Sequence, residues 1–209
     1  MRENHKGMKE EVLRIFGDDA FSSALFYQYS GALRFELSVE GSHFDLFLQA
    51  MQRGETILDD VFGDAVDMHV CVSVFCRGAM TDGRRVLRAL SACGLMLPRT
   101  REIWTTIYEH SDEDDEVWHQ AYACFPIEKE DIRRVLWAAV SRDLGIQPTL
   151  EASLYLYSPA LGILAHPYDD RGMDLIGPNA ELLKAMYGRY YDWLPDHDRK
   201  AMDAVFEKW

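Results

Sequence analysis

Leu150-Glu151-Ala152-Ser153-Leu154-Tyr155-Leu156-Tyr157, Leu161-Gly162-Ile163-Leu164-Ala165-His166 and Met173-Asp174-Leu175-Ile176 are three short apolar runs. Ser158-Pro159-Ala160 joins the first pair, and Tyr168-Asp169-Asp170-Arg171-Gly172 joins the second. Short runs bounded by turn residues read as strands, and connections this tight make them an antiparallel meander. A sheet built from local hairpins sets the class of fold expected for the rest of the chain.

Upstream, Ala32 to Val39 alternates, with Leu33, Phe35, Leu37 and Val39 on one side and Arg34, Glu36 and Ser38 on the other. Val66 to Phe75 alternates more cleanly, with Val66, Met68, Val70, Val72 and Val74 on one face and Asp67, His69, Cys71 and Ser73 opposite. Arg101 to His110 and Val117 to Phe125 are two further strands. Between the Ala32 and Val66 strands Ser42 caps a helix to about Phe62, with Phe44, Phe47, Leu48, Met51, Leu58, Val61 and Phe62 as its apolar stripe. Gly54 weakens that helix by about 1 kcal/mol relative to alanine. Other helices cover Lys9 to Phe16, Asp82 to Cys93 and Glu128 to Leu144, the last stopped by Gly145. Phe21 to Tyr29 is a short helix or a packed loop. Pro178-Asn179 opens a helix carrying Leu182, Leu183, Met186, Tyr187 and Tyr190. Asp196 or Asp198 starts the final one, docked through Met202, Val205, Phe206 and Trp209. The order strand, helix, strand occurs twice, at Ala32 to Phe75 and Val117 to Tyr157, without residue-level identity. The expected class is α+β: one or two mainly antiparallel sheets covered by amphipathic helices, with those two units as candidate repeats. One domain is expected over residues 1–209, and the acidic run at 111–116 is where a subdivision would fall.

Composition narrows the function classes. Among 209 residues, 22 Lys and Arg stand against 35 Asp and Glu, a formal charge of −13. So acidic a chain is poorly suited to grip phosphate backbones, and nucleic acid is not an expected partner. No apolar run reaches the roughly 18 residues of a membrane-spanning helix, and no apolar segment of a secretory signal follows Met1 to Lys6. Cys71, Cys76, Cys93 and Cys124 have no C-x-x-C or zinc spacing, and read as small buried hydrophobes in a reducing, cytoplasmic compartment. No phosphate-binding loop, dinucleotide fingerprint or nucleophile elbow is present, and no cofactor is expected.

Two clusters carry chemistry. His166-Pro167-Tyr168-Asp169-Asp170-Arg171-Gly172-Met173-Asp174 puts an imidazole, a phenol, a guanidinium and three carboxylates at one strand–turn–strand. Three acids and a histidine could hold a divalent metal or act as general acid and base. The local alternative is a structured turn: Asp169 or Asp170 bonds the backbone, Gly172 takes positive φ, and Arg171 pairs with Asp174 or an acid elsewhere. The second cluster is Tyr190, Tyr191, Asp192 and Trp193 ahead of Asp196 to Arg199, a pocket rim or simply a helix stripe followed by caps. Arg34 and Glu36 are a candidate buried ion pair.

Pro167-Tyr168-Asp169-Asp170-Arg171-Gly172-Met173-Asp174-Leu175-Ile176, Leu182 to Tyr187, Tyr190-Tyr191-Asp192-Trp193-Leu194 and Asp198-Arg199 together resemble the bacterial domain-of-unknown-function family numbered 3885. Leu33 to Leu37 and Arg53 to Phe62 are similar to it as well. Pro195 departs from its pattern. The resemblance implies that the Tyr-Asp-Asp-Arg-Gly-x-Asp turn and the Tyr/Trp segment form one unit, with Arg171 or Asp174 reaching the helix beside Asp192 and Trp193. It implies no activity.

Three functions are expected in order. The first is a non-enzymatic protein, of immunity type, that captures a basic protein partner by electrostatic steering. The second is a hydrolase or small-ligand binder using Asp169, Asp170 and Asp174 for proton transfer or a metal, Arg171 as anion clamp and His166 as base. The third is a scaffold whose sheet forms a homodimer.

Overall fold

Strand pairing organises the chain. The computed structural model describes residues 7–77, 90–108 and 118–207. Its strands are β1 (Leu33–Glu36), β2 (His69–Arg77), β3 (Glu102–Tyr108), β4 (Trp118–Pro126), β5 (Ser153–Ser158), β6 (Ile163–Pro167) and β7 (Gly172–Ile176). They form one seven-stranded sheet in the order β1-β7-β6-β5-β2-β4-β3. Every neighbouring pair is antiparallel. The α+β class is therefore correct, with a single sheet, and the meander expected over Leu150 to Ile176 is β5, β6 and β7.

The helices are α1 (Met8–Phe16), α2 (Leu25–Gln28), α3 (His43–Phe62), α4 (Ile132–Val140), α5 (Ala180–Arg189) and α6 (Asp196–Phe206). Ser42 caps α3 with a reciprocal capping box, its hydroxyl accepting from Asp45 N while the Asp45 carboxylate accepts from Ser42 N. One face of the sheet carries Tyr155 and Tyr157, covered by Phe16 of α1 and by Phe21. The other carries Phe35, against which Tyr190 sets its ring edge at 6.1 Å. The Tyr190 hydroxyl bonds Asp60, which brings α3 onto this side. α4 follows α3, because a Cβ on Gly54 would stand 2.8 Å from the Leu136 methyls. Gly54 thus loses helix propensity but allows close helix packing.

Both faces of the central strands are buried, so alternation alone misleads there. Ser73, on the polar side of the β2 alternation, is buried, and Cys71 beside it is buried as expected of a small hydrophobe. Val66, expected in the core, is 92 % exposed. β2 begins only at His69, because Asp67 turns aside to accept from Ser158 Oγ and from Ala160 N (2.8 Å), tying down the β5–β6 connection. Val39 is also exposed, since the chain leaves the sheet after Glu36. On α3 the buried stripe runs Phe47, Met51, Gly54, Ile57, Leu58 and Val61, which leaves Leu48 on its flank and Phe44 ahead of its start, both exposed. The helix expected over Glu128 to Leu144 is shorter: a 3₁₀ turn at Lys129–Asp131 leads into α4, and its apolar face is buried as expected. The two strand–helix–strand units are not equivalent. β1 and β2 have three strands between them, whereas β4 and β5 have only β2. Most of the helix expected at Asp82 to Cys93, the acidic run at 111–116 and Trp209 lie outside the described residues. Among the described residues no helix is long and apolar enough to cross a membrane.

Candidate functional site

Antiparallel register lines up one row of polar side chains on the α1 face. Arg34 of β1 stands opposite Asp174 of β7, and Asp174 opposite His166 of β6. His166 stacks on Tyr155 of β5 with ring centroids 4.2 Å apart. Tyr155 in turn stands opposite Cys71, and Cys71 opposite Cys124. All four cysteines are free and buried, and burial pushes the Cys71 thiol up.

Asp174 is fully buried and accepts three hydrogen bonds: Phe26 N at 3.0 Å, Arg34 Nε at 2.7 Å and Arg34 Nη2 at 3.0 Å. The third nitrogen of Arg34, Nη1, donates to Asp198 of α6 at 3.3 Å. Rings of Tyr27 (4.6 Å), Phe26 (5.0 Å) and Tyr168 (5.6 Å) surround the guanidinium. Burial alone would lower the Arg34 pKa, but the bonds to Asp174 outweigh it and raise it. The pairing expected between Arg171 and Asp174 is therefore replaced by Arg34 with Asp174, across 140 residues. Glu36 is not part of it. Asp198, read as a cap, is instead a buried acceptor that also takes the Tyr27 hydroxyl at 3.3 Å.

The turn has its own internal pairing. Asp169 is buried and accepts from Arg171 N at 2.8 Å and Arg171 Nε at 2.9 Å, and also from Nη2. Asp170 is buried beside Ser38 Oγ at 3.4 Å, and burial, then the neighbouring Asp169, raises its carboxyl pKa. Gly172 does not take positive φ. It is needed for space: a Cβ there would sit 2.0 Å from the Tyr168 hydroxyl oxygen and 2.8 Å from Phe35 O. Asp169 and Asp174 thus serve different arginines, and among the described residues no three His, Cys, Asp or Glu side chains converge as a metal site.

His166 is the group left with chemistry to offer. Its Nδ1 lies 3.0 Å from Leu154 O. A carbonyl only accepts, so Nδ1 carries the proton and Nε2 the lone pair in the neutral ring. Burial, opposed in part by that carbonyl, lowers its pKa below the ordinary 6.5 and keeps the ring neutral. It lines a cleft of about 710 Å³ whose walls include Arg34, Ser153, Tyr168, Arg171, Arg142 and His197. Arg142, just past α4, is held by Asp143 at Nε (3.0 Å) and by Tyr168 O at Nη2 (3.2 Å). Arg171 is held by Asp169 in the same manner while its side chain remains 74 % exposed. Among the described residues neither Nη1 has a partner, so two pre-oriented guanidinium corners stand at the cleft.

Of the sequence candidates, His166, Tyr168, Asp169 and Arg171 line this cleft, and Asp170 and Asp174 lie behind it. Tyr190 and Trp193 do not join them. They stack on each other at 4.8 Å on the opposite face, with Arg53 over Trp193, and Asp192 is exposed. Burial, then Asp60, pushes the Tyr190 hydroxyl up to about 12. Asp174 meets α2 and Arg34 instead of the segment around Asp192. Arg142 and Ser153 carried no local signal, being single polar residues brought in from separate segments, whereas His197 comes from the Asp196 to Arg199 stretch read as a pocket rim.

Residues 8–198 match the family model described as Domain of unknown function (DUF3885). The chain belongs to that family. The match takes in every wall of the cleft, from Ser23 to His197, and both partners of Arg34. For this DUF3885 member no curated protein and no solved structure matches.

Proposed function

We propose that this protein binds a small polar ligand carrying an anionic group in the cleft between β1, the β6–β7 turn and the start of α6. His166 is the acceptor for a ligand proton, and the free corners of Arg142 and Arg171 anchor the anion. The observation that carries this reading is a cleft lined from six separate stretches of chain around a neutral imidazole whose tautomer is set by Leu154 O. The lining charges cancel, three arginines against Glu36, Asp143 and Asp169. Recognition therefore comes from geometry more than from net potential. In a hydrolase of this design the same imidazole takes the proton of the attacking water.

The test is titration of the full chain with inorganic phosphate, acetate and glutamate as probes, following the ¹⁵N resonances of the His166 ring. A probe that binds shifts those resonances in the wild type, and the shift is lost in Arg142→Ala with Arg171→Ala. Absence of any shift with all three probes overturns the reading.

Capture of a basic protein partner remains the second reading, supported by the charge of −13. It predicts a partner that copurifies from a bacterial host at low salt and is released at high salt. The four free cysteines fit a reducing cytoplasm.

A further inference from the structure

β3 reads Glu102-Ile103-Trp104-Thr105-Thr106-Ile107-Tyr108 and forms one edge of the sheet. Among the described residues no strand pairs with its outer side. Edges are usually protected by lysine, proline, a bulge or a covering element. β3 has neither lysine nor proline, and its one charge, Glu102, is turned to the start of α1, where it accepts from Lys9 N at 3.0 Å. Lys9 also reaches over Trp104, so α1 supports one face of β3. On the other face Ile103 is 58 % exposed, Ile107 is 69 % exposed, and Thr105 between them is exposed.

That face is symmetric about Thr105. An antiparallel copy centred there sets Thr105 against Thr105, Ile103 against Ile107 and Ile107 against Ile103. A two-fold interface requires this self-complementarity, since each residue must meet its symmetry mate's partner. Isoleucine pairs and a threonine pair are also favourable cross-strand contacts.

We infer that β3 is a homodimer interface, its occupant the β3 of a second copy, which joins two sheets into one. A seven-residue edge lies at the small end of stable interfaces, so the dimer forms in a concentration-dependent way.

Light scattering on the full chain across a dilution series should show a species of twice 24.1 kDa giving way to the monomer. Ile103→Lys raises the dissociation constant about tenfold or more, because each copy then sets an ammonium group against an apolar partner. Adding Ile107→Glu to Ile103→Lys restores the dimer, since the two positions face one another across the axis, whereas Ile103→Lys with Ile107→Lys abolishes it. Thr105→Cys is the second measurement: directly opposed Cα atoms lie within disulfide reach, so mild oxidation gives a covalent dimer. A monomer at every concentration with no Thr105→Cys crosslink overturns the assignment. So does a dimer that survives the double lysine variant.

Discussion

At one edge of the sheet β1 is four residues long, and its Arg34 is locked between Asp174 and Asp198 beneath α2 and α6. At the other edge β3 is seven residues long and shows two isoleucines to solvent. The first edge is closed by charges from segments far apart in the chain, which makes it a place where stability is concentrated. The second, among the described residues, has no strand on its outer side and few ties to the rest of the fold. The cleft sits beside the closed edge, where a rigid surround holds His166, Arg142 and Arg171 in place.

The sharpest way to break this contrast is Asp174→Ala. It leaves Arg34 Nε and Nη2 and Phe26 N without their acceptor, and should cost about 3–5 kcal/mol in urea unfolding. Ile103→Lys at the opposite edge should stay within about 0.5 kcal/mol. Equal losses at the two edges would remove the distinction. Replacing the pair together, Arg34→Met with Asp174→Leu, should return only part of the loss, because the unpaired guanidinium is gone but buried Asp198 loses its arginine and Phe26 N its acceptor.

Gly172→Ala comes next, at about 1–3 kcal/mol from overpacking against Tyr168. Tyr168→Ala in the same chain should recover part of that, while Phe35 O still crowds the new methyl. The smallest effect is the pH response of His166. Its folded pKa lies below 6.5, so between those values the unfolded chain binds more protons, and stability falls as pH falls through 6.5. His166→Gln should flatten thermal stability over that range by at most about 1.4 kcal/mol per pH unit. Asp170, with a raised pKa, acts in the opposite sense at lower pH: its contribution is lost as pH rises.

Local signals were readable and distant ones were not. The Ser42 cap, the β5–β7 meander and the buried faces of α4 and α6 follow from spacing over a few residues. Val66 and Phe44 fit the same periodicities but fell outside the core, because periodicity does not say where packing stops. For the site, the turn Tyr168 to Gly172 stood out by composition, yet the partner of Asp174 lies 140 residues away, and nothing near Asp174 marks Arg34 above the other arginines. Gly172 is marked as a turn glycine by the sequence, but the structure needs it for a different reason. Turn glycines usually supply positive φ, and here the missing side chain makes room for a phenol.

The place of β1 as an edge strand paired only with β7 also governs how the protein is made. On the ribosome, Leu33, Phe35 and Leu37 emerge early, but β1 has no neighbour in the sheet until Ile176 has been translated, and Arg34 has no second carboxylate until Asp198 follows. The nascent chain therefore carries a sticky apolar segment through most of its synthesis. Closure waits for contacts of long sequence separation, which are slow to form. A chain interrupted after β6 holds most of its sheet but exposes that segment, a state suited to recognition by quality-control machinery.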